Sequence, residues 1–168
     1  MSQSPREGAV NMPTEVSQVA DRIAIEELVN RFSDALDQKR WEMLDDFFAE
    51  DAVGEFKARD VRMEPMVITG RANLIDFARR MIGSAEIVTQ HLLGNFSATI
   101  EGDTAEAKVR MRGYHAGIGP REGLFEESIG HYAGRFQRTP VGWRCTRWEE
   151  SIDIMLGDPA LFAPEVGG

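Results

Sequence analysis

The sequence is sparing with several residues that often betray a function. It has a single cysteine, Cys145, so no internal disulfide can form, and a reducing, cytoplasmic setting is expected. No apolar run approaches the roughly 20 residues of a membrane-spanning helix, so no membrane partner is expected. Basic residues are outnumbered, 19 Lys and Arg against 28 Asp and Glu, giving a formal net charge of -9. A surface of that sign repels phosphate backbones and sets nucleic acid aside as a partner. There is no glycine-rich phosphate loop and no dinucleotide fingerprint. The lone cysteine has no sequence context that would make it a nucleophile. Histidines number three: His91, His115 and His131.

What is present suffices for one domain. Apolar residues make up 42% of the 168, enough for a core. Residues 1–15 are polar, lack the apolar stretch of a secretion signal and read as a loose tail. Residues 16–156 read as the domain, and residues 157–168, rich in Pro and Gly, as an irregular tail. The spacing predicts a helix over 16–38, with Val19, Ile23, Val29, Phe32 and Leu36 recurring at three- and four-residue steps. Asp37 sits at the edge of that stripe. A short helix over 41–48 should turn Trp41, Leu44, Phe47 and Phe48 inward. A strand over 52–56, a loop over 57–66 and a helix over 73–82, bracketed by Gly70 and Gly83, follow.

Beyond residue 86 the period changes to two. Residues 87–100, 105–115, 128–138 and 143–155 read as strands, with turns at 101–103 and 139–142. Ala107, Val109, Met111, Gly113 and His115 share one face; Gly130, Tyr132, Gly134 and Phe136 share another. Helices first and strands after predict an α+β fold. A curved antiparallel sheet would wrap around the N-terminal helices and enclose an open-ended cavity.

His115 continues an apolar face and should point inward, while His131 should face outward. Strict alternation leaves His91 undecided, and a bulge near Gly94 would change its phase. A carboxylate near an apolar stripe is costly to bury unless paired. Histidine is a fitting partner for Asp37, because it can donate one ring N–H and offer the other nitrogen as a base. The pair Asp37 and His91 is therefore more informative than either residue alone. Two histidines and an aspartate could also hold a metal, but their spacing matches no compact metal signature.

Five segments together resemble a known superfamily. They are Ala35-Leu36-Asp37-Gln38-Lys39-Arg40-Trp41, Phe47-Phe48-Ala49-Glu50-Asp51-Ala52-Val53, Thr89-Gln90-His91, Gly102-Asp103 leading to Gly113-Tyr114-His115, and the Gly142-Trp143 hairpin. The pattern, over residues 18–156, is similar to the nuclear transport factor 2-like superfamily. More narrowly it resembles the SnoaL-like branch that includes scytalone dehydratase and bile-acid dehydratase. The resemblance implies a cone-shaped α+β barrel, no metal or organic cofactor, and a homo-oligomer, dimer or trimer. By position it implies that Asp37 orients His91 as the catalytic base and that His115 is a second catalytic histidine. The implied chemistry is loss of water beta to a carbonyl. An isomerase or cyclase, or a non-catalytic ligand-binding or dioxygenase small-subunit-like domain, are the alternatives.

The chain also departs from scytalone dehydratase. Leu36 and Phe56 stand where that enzyme has two tyrosines that hold a water on the carbonyl, and Gly130 stands where it has a serine. Tyr132 faces the right way to replace them, with Tyr114 a weaker candidate. The pocket implied is more apolar, lined by Phe32, Phe56, Met111, Tyr132 and Trp148. It suits a small apolar cyclic substrate such as a terpenoid, steroid or polyketide.

Overall fold

Helix α1 (Met12–Asp37) buries Ile25, Leu28, Val29, Phe32 and Leu36. Val19 and Ile23, expected in the same stripe, are instead 58% and 51% exposed. At about 100° per residue they lie nearly opposite Asp21 on the helix, and Asp21 is the residue turned to the sheet. Its two carboxylate oxygens accept from Arg138 (2.8 and 2.6 Å), and Oδ1 also accepts from Trp143 Nε1 (3.2 Å). A buried ion pair thus sets the rotation of this half of the helix, where apolar periodicity alone pointed elsewhere.

The computed structural model describes residues 12–59 and 64–163, with side chains in α1 from residue 16. Most of the expected tail 1–15, residues 60–63 of the expected loop, and residues 164–168 lie outside the described residues. After α1 comes a 3₁₀ turn (Trp41–Met43) and a one-turn helix α2 (Leu44–Phe47). Phe48 does not end this helix as expected but opens β1 (Phe48–Ala58). A four-residue strand, β2 (Met66–Thr69), pairs with β1 and was not foreseen, being too short and too exposed to show alternation. Helix α3 (Arg71–Ile82) leads into a meander of β3 (Ile87–Glu101), β4 (Thr104–Gly117), β5 (Phe125–Thr139) and β6 (Gly142–Gly157).

The strand order is β2-β1-β6-β5-β4-β3, with β2 and β3 as unpaired edges. The sheet is curved but not a closed barrel, and it is mixed rather than antiparallel, because β1 and β6 run parallel. Hairpins reverse each step of the meander, while α3 carries the chain to the far edge before it starts. β6 therefore arrives beside β1 pointing the same way. Register slips at Gly94/Ser97, Ile129/Gly130 and Arg135/Phe136 bend the ladder. At Gly130 an added Cβ would lie 1.9 Å from the Ser151 carbonyl oxygen, so this bulge accepts no serine.

All three helices cover one face of the sheet. Ile25, Val29, Phe47, Phe136 and Trp148 form the dry centre of the layer between them, each side chain worth about 1.5–3 kcal/mol when buried. The expected irregular C-terminal tail is partly ordered: Pro159–Phe162 form a 3₁₀ turn with Leu161 fully buried. Arg121 holds that turn, donating to the carbonyls of Leu161 (2.7 Å) and Ala163 (3.0 Å) while pairing with Glu86 (2.8 Å). Among the described residues no helix is long and apolar enough to cross a membrane.

The Asp21 carboxyl is held below its usual range, first by the hydrogen bonds from Arg138. A depressed native pKa stabilises the fold above the unfolded carboxylate range, and that contribution disappears as pH falls through the native value. Asp21→Ala should lower the unfolding free energy at neutral pH by about 2 kcal/mol, the scale of a charged hydrogen bond. Urea titrations of the two proteins should converge as the pH is lowered.

Candidate active site

Asp37 is the last residue of α1, and its carboxylate meets the start of β3. Oδ1 accepts from the Thr89 hydroxyl (2.9 Å) and from His91 Nδ1 (2.7 Å), and Oδ2 accepts from the His91 backbone N–H (2.8 Å). Burial pushes this carboxyl up, but the bonds from His91 and Thr89 outweigh it and hold Asp37 below the usual carboxylate range. An ionised carboxylate can only accept, so Nδ1 of His91 carries a proton and Nε2 is the ring nitrogen that Asp37 leaves unengaged. The His91 side chain is 6% exposed and that of Asp37 22%. Lys39, in left-handed backbone conformation, fixes the end of the helix. Its ammonium donates to the carbonyls of Ile82 and Ser84 and so ties α1 to the end of α3.

A β-bulge decides the direction of His91. In the β3–β4 ladder Thr89 lies opposite His115 and His91 opposite Gly113, and the register slips between Gly94 and Ser97. Asn95 takes a positive φ there. Before the slip Ile87, Thr89 and Leu93 face the helices with His91; after it Phe96, Ala98 and Ile100 do. The two halves of the strand thus follow opposite phases.

His115 is buried on the inner face of β4, as alternation predicted. Its Nδ1 lies 2.7 Å from Glu126 Oε2, and Glu126 Oε1 accepts from the Ser128 hydroxyl (2.6 Å). Glu126, 2% exposed, was missed because the expected strand began at Ser128. Carrying the alternation of Tyr132, Gly130 and Ser128 one step further back reaches it. Two imidazoles, each with Nδ1 on a carboxylate, therefore stand with ring centroids 5.5 Å apart. Gly113 makes room for both: a Cβ there would sit 3.2 Å from His91 Cδ2 and 3.4 Å from His115 Cε1. His131 is half-buried, with its Nδ1 4.0 Å from Asp153 and away from this pair.

The two imidazoles open onto a cavity of about 320 Å³ between the helices and the sheet, within the range of small-molecule sites. Phe32, Phe56, Met111, Tyr132 and Trp148 all line it, as do His91, His115 and Glu126. Phe32 packs on Trp148 (4.9 Å between ring centroids) and edge-on to Tyr132 (5.7 Å), so these three form one wall. Burial keeps the Tyr132 hydroxyl protonated far above the ordinary phenol range, with the nearby Glu150 adding to the effect. It is therefore a hydrogen-bond donor in the cavity. Tyr114, the weaker candidate, is exposed on the outer face. Phe162 of the C-terminal turn stands 5.3 Å from the His115 ring. Among the described residues no group of three or more His, Cys, Asp or Glu side chains is spaced to hold a metal ion.

Comparison with known proteins places this geometry in a family context. A family model described as a SnoaL-like domain matches residues 17–149. An uncharacterized protein of Mycobacterium tuberculosis H37Rv is 32% identical over 137 residues, covering 81% of this chain and 88% of that protein. A crystal structure of a proposed aromatic ring hydroxylase from Novosphingobium aromaticivorans is 28% identical, with a TM-score of 0.66 over 86% of this chain and 98% of that one. A proposed scytalone dehydratase from the same organism shares the fold, with a TM-score of 0.69 and 21% identity over 85% of this chain and 90% of that one.

Gly113→Ala should displace the His91 ring by a few tenths of an ångström and crowd His115, with little effect on the core. A displacement of this kind costs up to about 100-fold in rate when it misplaces a reacting group. Thermal unfolding should stay close to that of the parent while the histidine ring resonances of His91 and His115 shift in NMR spectra.

Proposed function

The chain belongs to the SnoaL-like domain family, and on that footing we propose that it is a lyase, a dehydratase that removes water from a small apolar cyclic substrate without a cofactor. The observation that carries this reading is the Asp37–His91 pair enclosed at an apolar cavity. A carboxylate and an imidazole cost free energy to bury, and perturbed titratable groups lining a cavity are the usual mark of acid–base chemistry.

His91 Nε2 takes the proton from the carbon next to a substrate carbonyl. Asp37 steadies the imidazolium that forms and fixes which nitrogen acts. Charge then develops on the carbonyl oxygen, which the Tyr132 hydroxyl and the His115 ring, held by Glu126, face from the cavity wall. Apolar walls lower the local dielectric and strengthen each of these contacts relative to water. The enolate expels the hydroxyl group beta to the carbonyl and leaves a double bond conjugated with it. Phe32, Phe56, Met111 and Trp148 give the ring system an apolar bed, in keeping with a terpenoid, steroid or polyketide skeleton. An isomerase would share the proton abstraction and differ in expelling nothing, so the mass of the product separates the two.

The test is turnover of bicyclic β-hydroxy ketones such as 3-hydroxy-1-tetralone, followed by the loss of a water in the mass spectrum. His91→Ala should reduce turnover by about 10³-fold, within the range for general base catalysis. Asp37→Asn should cost about 10²-fold or more, because the amide can stabilise the wrong tautomer. Full turnover by both variants would overturn the reading.

A further inference from the structure

Glu150 is a half-buried carboxyl of the cavity that the mechanism above leaves unused. Glu150 lies on β6 between Phe56 of β1 and Tyr132 of β5, its register partners on the two sides. All three line the cavity. Of the other carboxylates lining it, Glu126 is committed to His115 and Ser128 and Glu64 is exposed, while Asp37 stands behind His91 with three donors. Glu150 has no such partner among the described residues. Lys57, the cation that also lines the cavity, is bound to Glu55 (2.6 Å) and Glu149 (3.3 Å) instead.

In the mechanism above His91 is the base and His115 serves the carbonyl oxygen, each with Nδ1 pinned on a carboxylate. Elimination needs an acid as well, because hydroxide is a poor leaving group. We propose that Glu150 is that acid, a carboxyl group that delivers its proton to the departing hydroxyl of the substrate. This rests on the elimination reading. Burial pushes the Glu150 carboxyl up, against the opposing pull of His91 and His115, and the charge of Glu126 adds to the rise. Hydrogen bonding thus holds the Asp37 carboxyl down, while burial without such bonds raises that of Glu150.

The step balances. His91 Nε2 takes the α-proton, and the C–H electron pair becomes the new C=C bond through the enolate. The C–O pair goes to the oxygen, which takes the Glu150 proton and leaves as water. One proton then passes from the His91 imidazolium to the Glu150 carboxylate, directly or through solvent, and no co-reactant is consumed.

The test compares two leaving groups on the full chain: 3-hydroxy-1-tetralone, whose hydroxyl needs a proton, and 3-chloro-1-tetralone, whose chloride does not. Glu150→Gln should lose about 10²-fold in kcat on the hydroxy ketone and stay near the parent on the chloro ketone, after subtraction of spontaneous loss. Glu150→Asp, which keeps an acid, should recover part of the rate on the hydroxy ketone and guards against a folding defect in the amide variant. Equal losses on both ketones, or no loss on the hydroxy ketone, would overturn the role of Glu150. His91→Ala should fall on both ketones. A parent protein inert on both would defeat the elimination reading, and the acid with it.

Discussion

The carboxylate of Asp37 is the contact through which the helical layer controls the sheet. It ends α1 and takes three hydrogen bonds from the first turn of β3, two of them from His91 alone. Such a group is stable in a partly dry place only because every bond favours its charged form. The backbone bond holds this part of β3 against the end of α1, so His91 is tied to Asp37 by its main chain as well as by its ring. The Lys39 ammonium, bound to carbonyls at the end of α3, anchors the same corner from the other side.

Around that corner the sheet is shaped by small residues and slips of register. Gly113 lets two rings share one face of β4, and Gly130 allows β5 to bend tightly against β6. The bulge after Gly94 turns the first half of β3 so that Thr89 and His91 face the helices, while the second half still offers Phe96, Ala98 and Ile100 to the core. Each irregularity is local, yet together they turn a flat ladder into the curved wall of a cavity.

The polar groups of that wall follow a consistent division. Imidazoles are paired with carboxylates, and Tyr132 and Glu150 are left to the cavity. Leu36 and Phe56 give the cavity apolar surface, and the polar groups beside Phe56 along the sheet are Glu150 of β6 and, one strand further, Tyr132 of β5.

Much of the fold could be read in advance. The change from a three-to-four-residue period to a period of two separates helices from sheet, and the clean alternation of β4 places Met111, Gly113 and His115 inside. The sequence by itself therefore determined the layer order and the inward face of most strands, because periodicity is a property of neighbouring residues, while Asp37, His91 and His115 stood out as a set through the resemblance of its motifs to a known family. It misjudged Val19 and Ile23, since the rotation of α1 is set by an ion pair to Arg138, 117 residues away. It left His91 undecided and passed over Glu126 and Glu150, whose meaning depends on which strands lie beside them. Only the tertiary structure decided these matters, because a bulge, a cross-strand partner and an unpaired carboxyl are relations between residues far apart in the chain.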